Sequence, residues 1–591
     1  MTKNDTLPKI LVRAQMRLQL PTTAGSLFAA LGFCGFSLAA GSAHAAEYYV
    51  SPTGSDTNAG SMAAPFATIQ KAGTVAAAGD TVWLRAGTYF NTQQITISRS
   101  GQSDTNRIKF WAYAKEIPIL DCSKYRSTNT ATDNPCILVK GSWLHFRGIE
   151  VANGPVGASG AHSIDMIRVK DAQNDTFELM NIHHGFGPGL FFDGGTGGNL
   201  ILNCDSHDNY DKNGSQGDGQ NGDGFGVHYQ TTGPSTIIRG CRSWLNSDDG
   251  YDLIGQEVSV RVENNFAVQN GYSNGGTGLP AEGNGNGFKM GSSQVTGCRH
   301  IIENNVAWKN RAAGFYANHS TGGSTWYNNT SYMNSVQYRM LASSFDPVTH
   351  AVTGTIILTG SKVHILRNNI GFPNKNTDME GVDSMFNTWD LNIAEAPADF
   401  VSTSDAGCLG PREADGSMPA ACGFLKLKAA SPLIDKGKDV MLPFAGASPD
   451  LGAYEYGAVV ASGGSGGSSG AGTGGGDATF AGTGGVGASG GDSSVAGNPD
   501  TSNSGSSGAP VVGSGGADGV AGSPSFSAGN AGQSTGVGPS SGGTDSGCAC
   551  AIGTGARAAG NAGTARLFAL AAAMAAVSLV RSRRRKGERR S

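Results

Sequence analysis

Five residues carry the chemistry that the sequence suggests most strongly. A short element, glycine followed by a large apolar residue, recurs at Gly189-Leu190, Gly224-Phe225, Gly250-Tyr251, Gly287-Phe288 and Gly314-Phe315. The residue before the glycine is in turn Pro188, Asp223, Asp249, Asn286 and Ala313. The second residue after it is Phe191, Gly226, Asp252, Lys289 and Tyr316. If successive elements stack as parallel strands about 4.8 Å apart, Asp223 lies beside Asp249 and Asp252 beside Lys289, with Asp248 adjacent in the chain. Carboxylates that close repel one another unless protons or a cation hold them. An all-oxygen set of flexible geometry suits calcium, and a lysine among them is a candidate base. A solvated acidic turn with an ordinary salt bridge from Lys289 would explain one pair, but not three elements in register. Insertions from Asp211 to Gly222 and from Gly271 to Gly285 flank the spot and could wall a groove. Asp218, in the first of them, could also reach a metal or substrate.

These residues need a scaffold that repeats. Five segments align: 203–209, 240–246, 264–270, 304–310 and 328–334, each with a small residue at the fourth position and asparagine at the seventh. Asn181 precedes the set, Asn368-Asn369 continues it, and the spacings are 22, 37, 24, 40, 24 and 40 residues. Short coils with insertions in alternate turns indicate a solenoid. The strands are short and rich in β-branched or aromatic residues, as in Val258 to Val262 and Val363 to Leu366, and helical spacing is absent. The fold class is therefore all-β, a right-handed parallel β-helix, with asparagines stacking from coil to coil. The shared apolar position after each glycine is core. Cys204 over Cys241 forms an inward pair read as packing, as is Cys298. A helix is expected to begin with Pro65 to Ala72 and to end at Gly79-Asp80, as an N-terminal cap, followed by strands starting at Thr81 to Leu84.

The stretch from Tyr48-Tyr49-Val50 through Gly87-Thr88-Tyr89 resembles the N-terminal cap of pectate-lyase-like β-helix proteins, and 431–456 looks like the end of the same fold class. Asp223-Gly224-Phe225, Asn246-Ser247-Asp248-Asp249-Gly250-Tyr251-Asp252-Leu253 and Gly283-Asn284-Gly285-Asn286-Gly287-Phe288-Lys289 resemble the active-site motifs of polysaccharide lyase family 9, in family order. The one departure noted is Met290 in place of a frequent leucine. The resemblance implies calcium held by Asp223, Asp248, Asp249 and Asp252, with Lys289 as the catalytic base. The implied activity is calcium-dependent cleavage of pectate, a 4-linked polyuronate from plants, by β-elimination. A lysine acts as a base only when neutral, so activity favouring alkaline pH is expected.

Composition sets the surroundings. Of 591 residues 91 are glycine and 15% are charged, about twice the ordinary glycine share. Residues 461–547 hold 30 Gly and 19 Ser with no Lys or Arg, which cannot bury a core and reads as a disordered linker. The expected domains are a signal peptide at 1–45, the catalytic β-helix at 46–457, the linker at 458–547, and a sorting tail at 548–591. Lys9, Arg13 and Arg17 before an apolar run ending at Ala43-His44-Ala45 form the export signal. Cys548-Ala549-Cys550, an apolar run from Leu567 to Val580 and five cations between Arg581 and Lys586 resemble myxobacterial surface-sorting tails, implying secretion or display. The tail would be the only membrane contact. Between Arg17 and Arg557 stand 29 cations against 44 carboxylates, which excludes a generic nucleic-acid binder and leaves a polyanionic substrate in need of a metal. A monomer is expected. Cys122 with Cys136, and Cys408 with Cys422, are spaced to close loops.

Two rival readings compete. A β-helical hydrolase would use Asp248-Asp249 as acid and base, but no Gly-His-Gly follows, Arg107-Ile108-Lys109 lies upstream in the wrong order, and Lys289 has no task. A non-catalytic glycan-binding solenoid with structural calcium also leaves Lys289 idle. A lyase for rhamnogalacturonan or another uronate shares the chemistry.

Overall fold

The computed structural model describes residues 45–126, 134–154, 164–212, 217–272, 283–292, 297–346 and 351–457. The expected linker and tail, and all but Ala45 of the expected signal peptide, lie outside them. The chain winds into coils of three short strands, and strands of like position pair in parallel into sheets of 12, 9 and 10 strands. The expected strand at Thr81–Leu84 is present; the two other expected strands run Val260–Glu263 and Ile365–Arg367. Ser343–Phe345 and Val352–Thr355 form an antiparallel hairpin in a separate unit.

Strands of three to six residues make too few hydrogen bonds to stand alone, so stacking supplies the stability. Inside the nine-stranded sheet Phe225, Tyr251, Phe288, Phe315 and Tyr338 stack with ring centroids 5.3, 4.6, 5.0 and 5.0 Å apart. These are the apolar residues of the glycine element, plus one further coil. Cys204 and Cys241 are buried free thiols at equivalent positions. The Cys122–Cys136 and Cys408–Cys422 disulfides are formed.

The repeated asparagines form two buried ladders. Asn209, Asn246, Asn270, Asn310 and Asn334 are joined amide to carbonyl at 2.9, 3.0, 3.0 and 2.9 Å. Asn265, Asn305, Asn329, Asn369 and Asn387 are joined at 3.0, 3.0, 3.1 and 2.8 Å. After the first of each ladder, every asparagine also accepts from the preceding member's backbone, as Asn270 Oδ1 does from Asn246 N at 3.2 Å. The residue before a ladder position turns the chain left-handed: Asn264, Asn304, Asn328 and Asn368 have φ of 58°, 55°, 52° and 60°. That is why asparagines come in pairs: the first tolerates positive φ, and the second fills the ladder.

The cap helix runs Ile69–Val75, later than Pro65. Phe66 is held in a bridge to Val50 instead. Asp56 accepts from the Ala67 and Thr68 amides, and Thr68 caps the Lys71 amide at 3.0 Å. Helical geometry can begin only after that cap. At the other end the irregular segment after Pro397 buries Phe400, Phe424, Leu433 and Leu451 with Val268, Trp308 and Ile370, outward residues of the ten-stranded sheet.

Replacing Asn270 by Ala removes the side-chain acceptor of the Asn246 backbone amide and a donor to the Ser243 carbonyl. Urea denaturation should show a loss of about 2–4 kcal/mol.

Candidate active site

The glycine element owes its shape to the asparagine ladder behind it. Asn246 Nδ2 donates to Ser243 Oγ at 2.9 Å, and Ser243 Oγ donates to Gly250 O at 2.9 Å. A Cβ on Gly224 would stand 2.0 Å from Ser243 Oγ and 2.7 Å from Gly250 O. One on Gly250 would stand 2.7 Å from both Asn270 Nδ2 and Gly287 O. Only glycine lets the backbone approach this closely. The small fourth residue of each repeat, Ser206, Ser243, Ala267, Ala307 or Ser331, meets the same demand where it faces a glycine. The residue before each glycine is thereby held where the coil turns into the outer strand.

Strand pairing sets Gly226 opposite Asp252 and Asp252 opposite Lys289, the register read from the sequence. Asp223, Asp248, Asp249, Asp252 and Lys289 are all buried, with 0–6% exposure. One oxygen each from Asp223, Asp248 and Asp249 lie within 4.8 Å of one another. Asp252 stands beside them with the lysine: Lys289 Nζ is 3.2 Å from Asp252 Oδ2 and 3.0 Å from Asp249 Oδ2.

Backbone and amide donors aim the carboxylates. Asp248 accepts from the amides of Asn284 and Asn221, one from each insertion. Asp249 Oδ1 accepts from Asn286 N at 2.6 Å and Asn286 Nδ2 at 2.8 Å. Asp223 Oδ1 accepts from Asp249 N at 3.0 Å. His228 Nε2 lies 3.5 Å from Asp252 Oδ2. His228 and the capping role of Asn286 were not legible beforehand; the position of Asn286 before Gly287, equivalent to Asp249, was the available signal. Asp218 accepts from the Tyr210 hydroxyl at 2.8 Å and is not one of the three converging carboxylates. His183 and His184 meet at 2.7 Å between Nδ1 atoms, because His184 leaves the strand at φ 55°. No metal-ligating group among the described residues includes them.

Four buried carboxylates face one ammonium. Burial, then Asp248, Asp252 and Asp249, raise the Asp223 carboxyl well above the usual range. Burial likewise raises Asp248 and pushes Asp249 up to about 7, against the pull of Lys289. Burial also works to raise Asp252, but Lys289 and His228 outweigh it and hold that carboxyl low. Asp252 Oδ1 is buried without a hydrogen-bond partner, and Asp249 Oδ2 has the Lys289 ammonium at 3.0 Å but no aligned hydrogen bond. Unsatisfied, like-charged oxygens of this kind fit a hard divalent cation.

A Pel9A-like, right-handed β-helix region matches residues 48–369. The chain belongs to the Pel9A-like family of β-helical pectate lyases. It is a polysaccharide lyase. Pectate lyase L of Dickeya dadantii is 33% identical over 431 residues, covering 71% of this chain and 93% of that protein. Pectate lyase PEL9 of Emericella nidulans is 31% identical over 408 residues, covering 64% and 92%. The crystal structure of pectate lyase Pel9A superposes with a TM-score of 0.58 at 32% identity, covering 69% of this chain and 96% of that one. A rhamnogalacturonan lyase superposes at 0.57 and 29% identity, covering 65% and 96%. The family establishes the right-handed winding expected from the repeat.

A neutral isostere at Asp223 should relieve the burial of charge. Asp223→Asn should melt at a higher temperature than the parent in chelator, because a carboxyl whose folded pKa is raised costs stability above its unfolded pKa. Adding calcium should raise the parent's melting temperature and move the variant's less.

Proposed function

We propose that this family member is an exported, calcium-dependent lyase that cleaves 4-linked polyuronates of the pectate type, with Lys289 as the base. The observation that carries the reading is the placement of Lys289 Nζ. It is 95% or more buried, 3.0 and 3.2 Å from Asp249 and Asp252, beside three converging carboxylates. A hydrolase built on Asp248 and Asp249 would not need an ammonium held there.

Asp223, Asp248 and Asp249, with Asp252 beside them, would hold the calcium. Bound there, it would neutralise the uronate carboxylate and withdraw charge from C5. Lys289, in its neutral form, takes the C5 proton. The electron pair of that C–H bond forms the C4=C5 double bond as the C4–O4 bond breaks, and O4 leaves with a proton from water. Asp249 and Asp252 orient the Lys289 amine. His228 lies 3.5 Å from Asp252, the amides of Asn221 and Asn284 fix Asp248, and Asn286 holds Oδ1 of Asp249 while its Oδ2 faces Lys289. Export rests on the basic and apolar pattern of residues 1–45, and surface display on the tail at 548–591.

Rhamnogalacturonan is the second substrate to test, because a lyase for it superposes as well as the pectate lyase does. Ultraviolet absorbance of unsaturated product should rise when polygalacturonate is digested with calcium and stay flat with chelator. Lys289→Ala should lower the rate by roughly 10²–10⁴-fold while keeping the calcium-induced rise in melting temperature. New reducing ends without absorbance would establish hydrolysis instead.

A further inference from the structure

The outer edge of the site sheet carries a half-exposed aromatic residue, Tyr229, in a left-handed backbone seat. His228 pairs with Asp193 on one side and Ile254 on the other. The residues that follow, Asp171, Gly194, Tyr229 and Gly255, occupy one turn column with φ of 54°, 72°, 59° and 64°. Two of these seats hold glycine and one holds aspartate, which tolerate the left-handed region; Tyr229 is the one bulky residue of this column. Tyr229 is nonetheless 41% exposed, so burial does not repay the conformation.

The neighbouring coil is shaped to receive its ring. A Cβ on Gly255 would stand 2.5 Å from Tyr229 Cδ1 and 2.8 Å from Cε1. The strand beneath is bulged at that point: Leu253 pairs with Met290 and Gln256 with Ser292, so Ile254 and Gly255 together face Gly291. Bulges of this kind re-aim side chains beside active sites. The Tyr229 ring stands edge-on to His228 at 5.6 Å, and His228 adjoins Asp252. Gly255 is three residues beyond Asp252, roughly 10 Å along the strand.

We infer that Tyr229 is a binding residue, a platform on which a pyranose ring of the polysaccharide stacks one or more units away from the bond that breaks. The chemistry is that of an aromatic face against the C–H face of a sugar, a contact insensitive to charge and complementary to the carboxylate-directed centre beside it. The inference rests on the polyuronate reading above and adds the surface that holds the chain outside the acidic pocket.

The left-handed seat makes the test sharp. In the full-length protein with calcium, Tyr229→Gly should keep or raise the melting temperature, because glycine relieves the positive φ. Its KM for polygalacturonate should rise roughly three- to tenfold with kcat near the parent value, and Tyr229→Trp should restore KM. An unchanged KM in Tyr229→Gly while the parent cleaves normally would overturn the platform and leave the lyase reading intact. A lower melting temperature with a matching loss of kcat would assign Tyr229 to the fold. If the parent neither cleaves nor binds polygalacturonate or rhamnogalacturonan, the substrate reading falls and the platform with it.

Discussion

Everything at this site depends on how closely one coil can approach the next. The asparagine ladders hold successive turns in register through amide bonds near 3.0 Å, and the glycine seats bring backbone against those amides at distances no other residue permits. A slip of one residue would turn the outward row of Gly226, Asp252 and Lys289 into the core and expose Tyr251 and Phe288. The aromatic stack inside and the charged row outside are thus two faces of one register. The interior supplies the free energy that keeps Lys289 against Asp252.

That register sets up an electrostatic imbalance. Four carboxylates and one lysine are drawn from water, and the backbone amides that meet them satisfy only some of the oxygens. Such a cluster is destabilising by itself, and three of its carboxyls are pushed upward mainly by burial. The solenoid tolerates it because its stability is distributed along the stack, each coil resting on its neighbours. A buried charged cluster can be cut into a few coils without unfolding the rest.

The three sheets carry different burdens. The ten-stranded sheet is covered by the segment that follows the last coils, which packs on Trp308 and Val268. The nine-stranded sheet keeps its acidic row, with Phe191 and Tyr316 in line on either side. Arg168 lies over the Phe191 ring at 4.8 Å and Arg339 over the Tyr316 ring at 5.3 Å. The winding alone does not fix the substrate, since a pectate lyase and a rhamnogalacturonan lyase both superpose on it.

Much of this was legible from residue order because a solenoid converts sequence period directly into spatial neighbourhood. Pairs of asparagines, glycines before large apolar residues, and acids before or two places after those glycines predict the ladder, the core stack and the Asp252–Lys289 pairing. Two disulfides of matching spacing also appeared where the spacing allowed. What lacks a period was not legible. The insertions send Asn221 and Asn284 back to cap Asp248, His228 reaches Asp252 across a coil, and the helix waits for Thr68 because Asp56 claims the preceding amides. Lys289 was expected beside Asp252 and is shared with Asp249 as well. The sequence alone therefore determined which residues share a face, because local pitch is written in the repeat. Only the tertiary structure decided which oxygens converge and which are left unsatisfied, because that depends on where loops of no fixed period return to the stack.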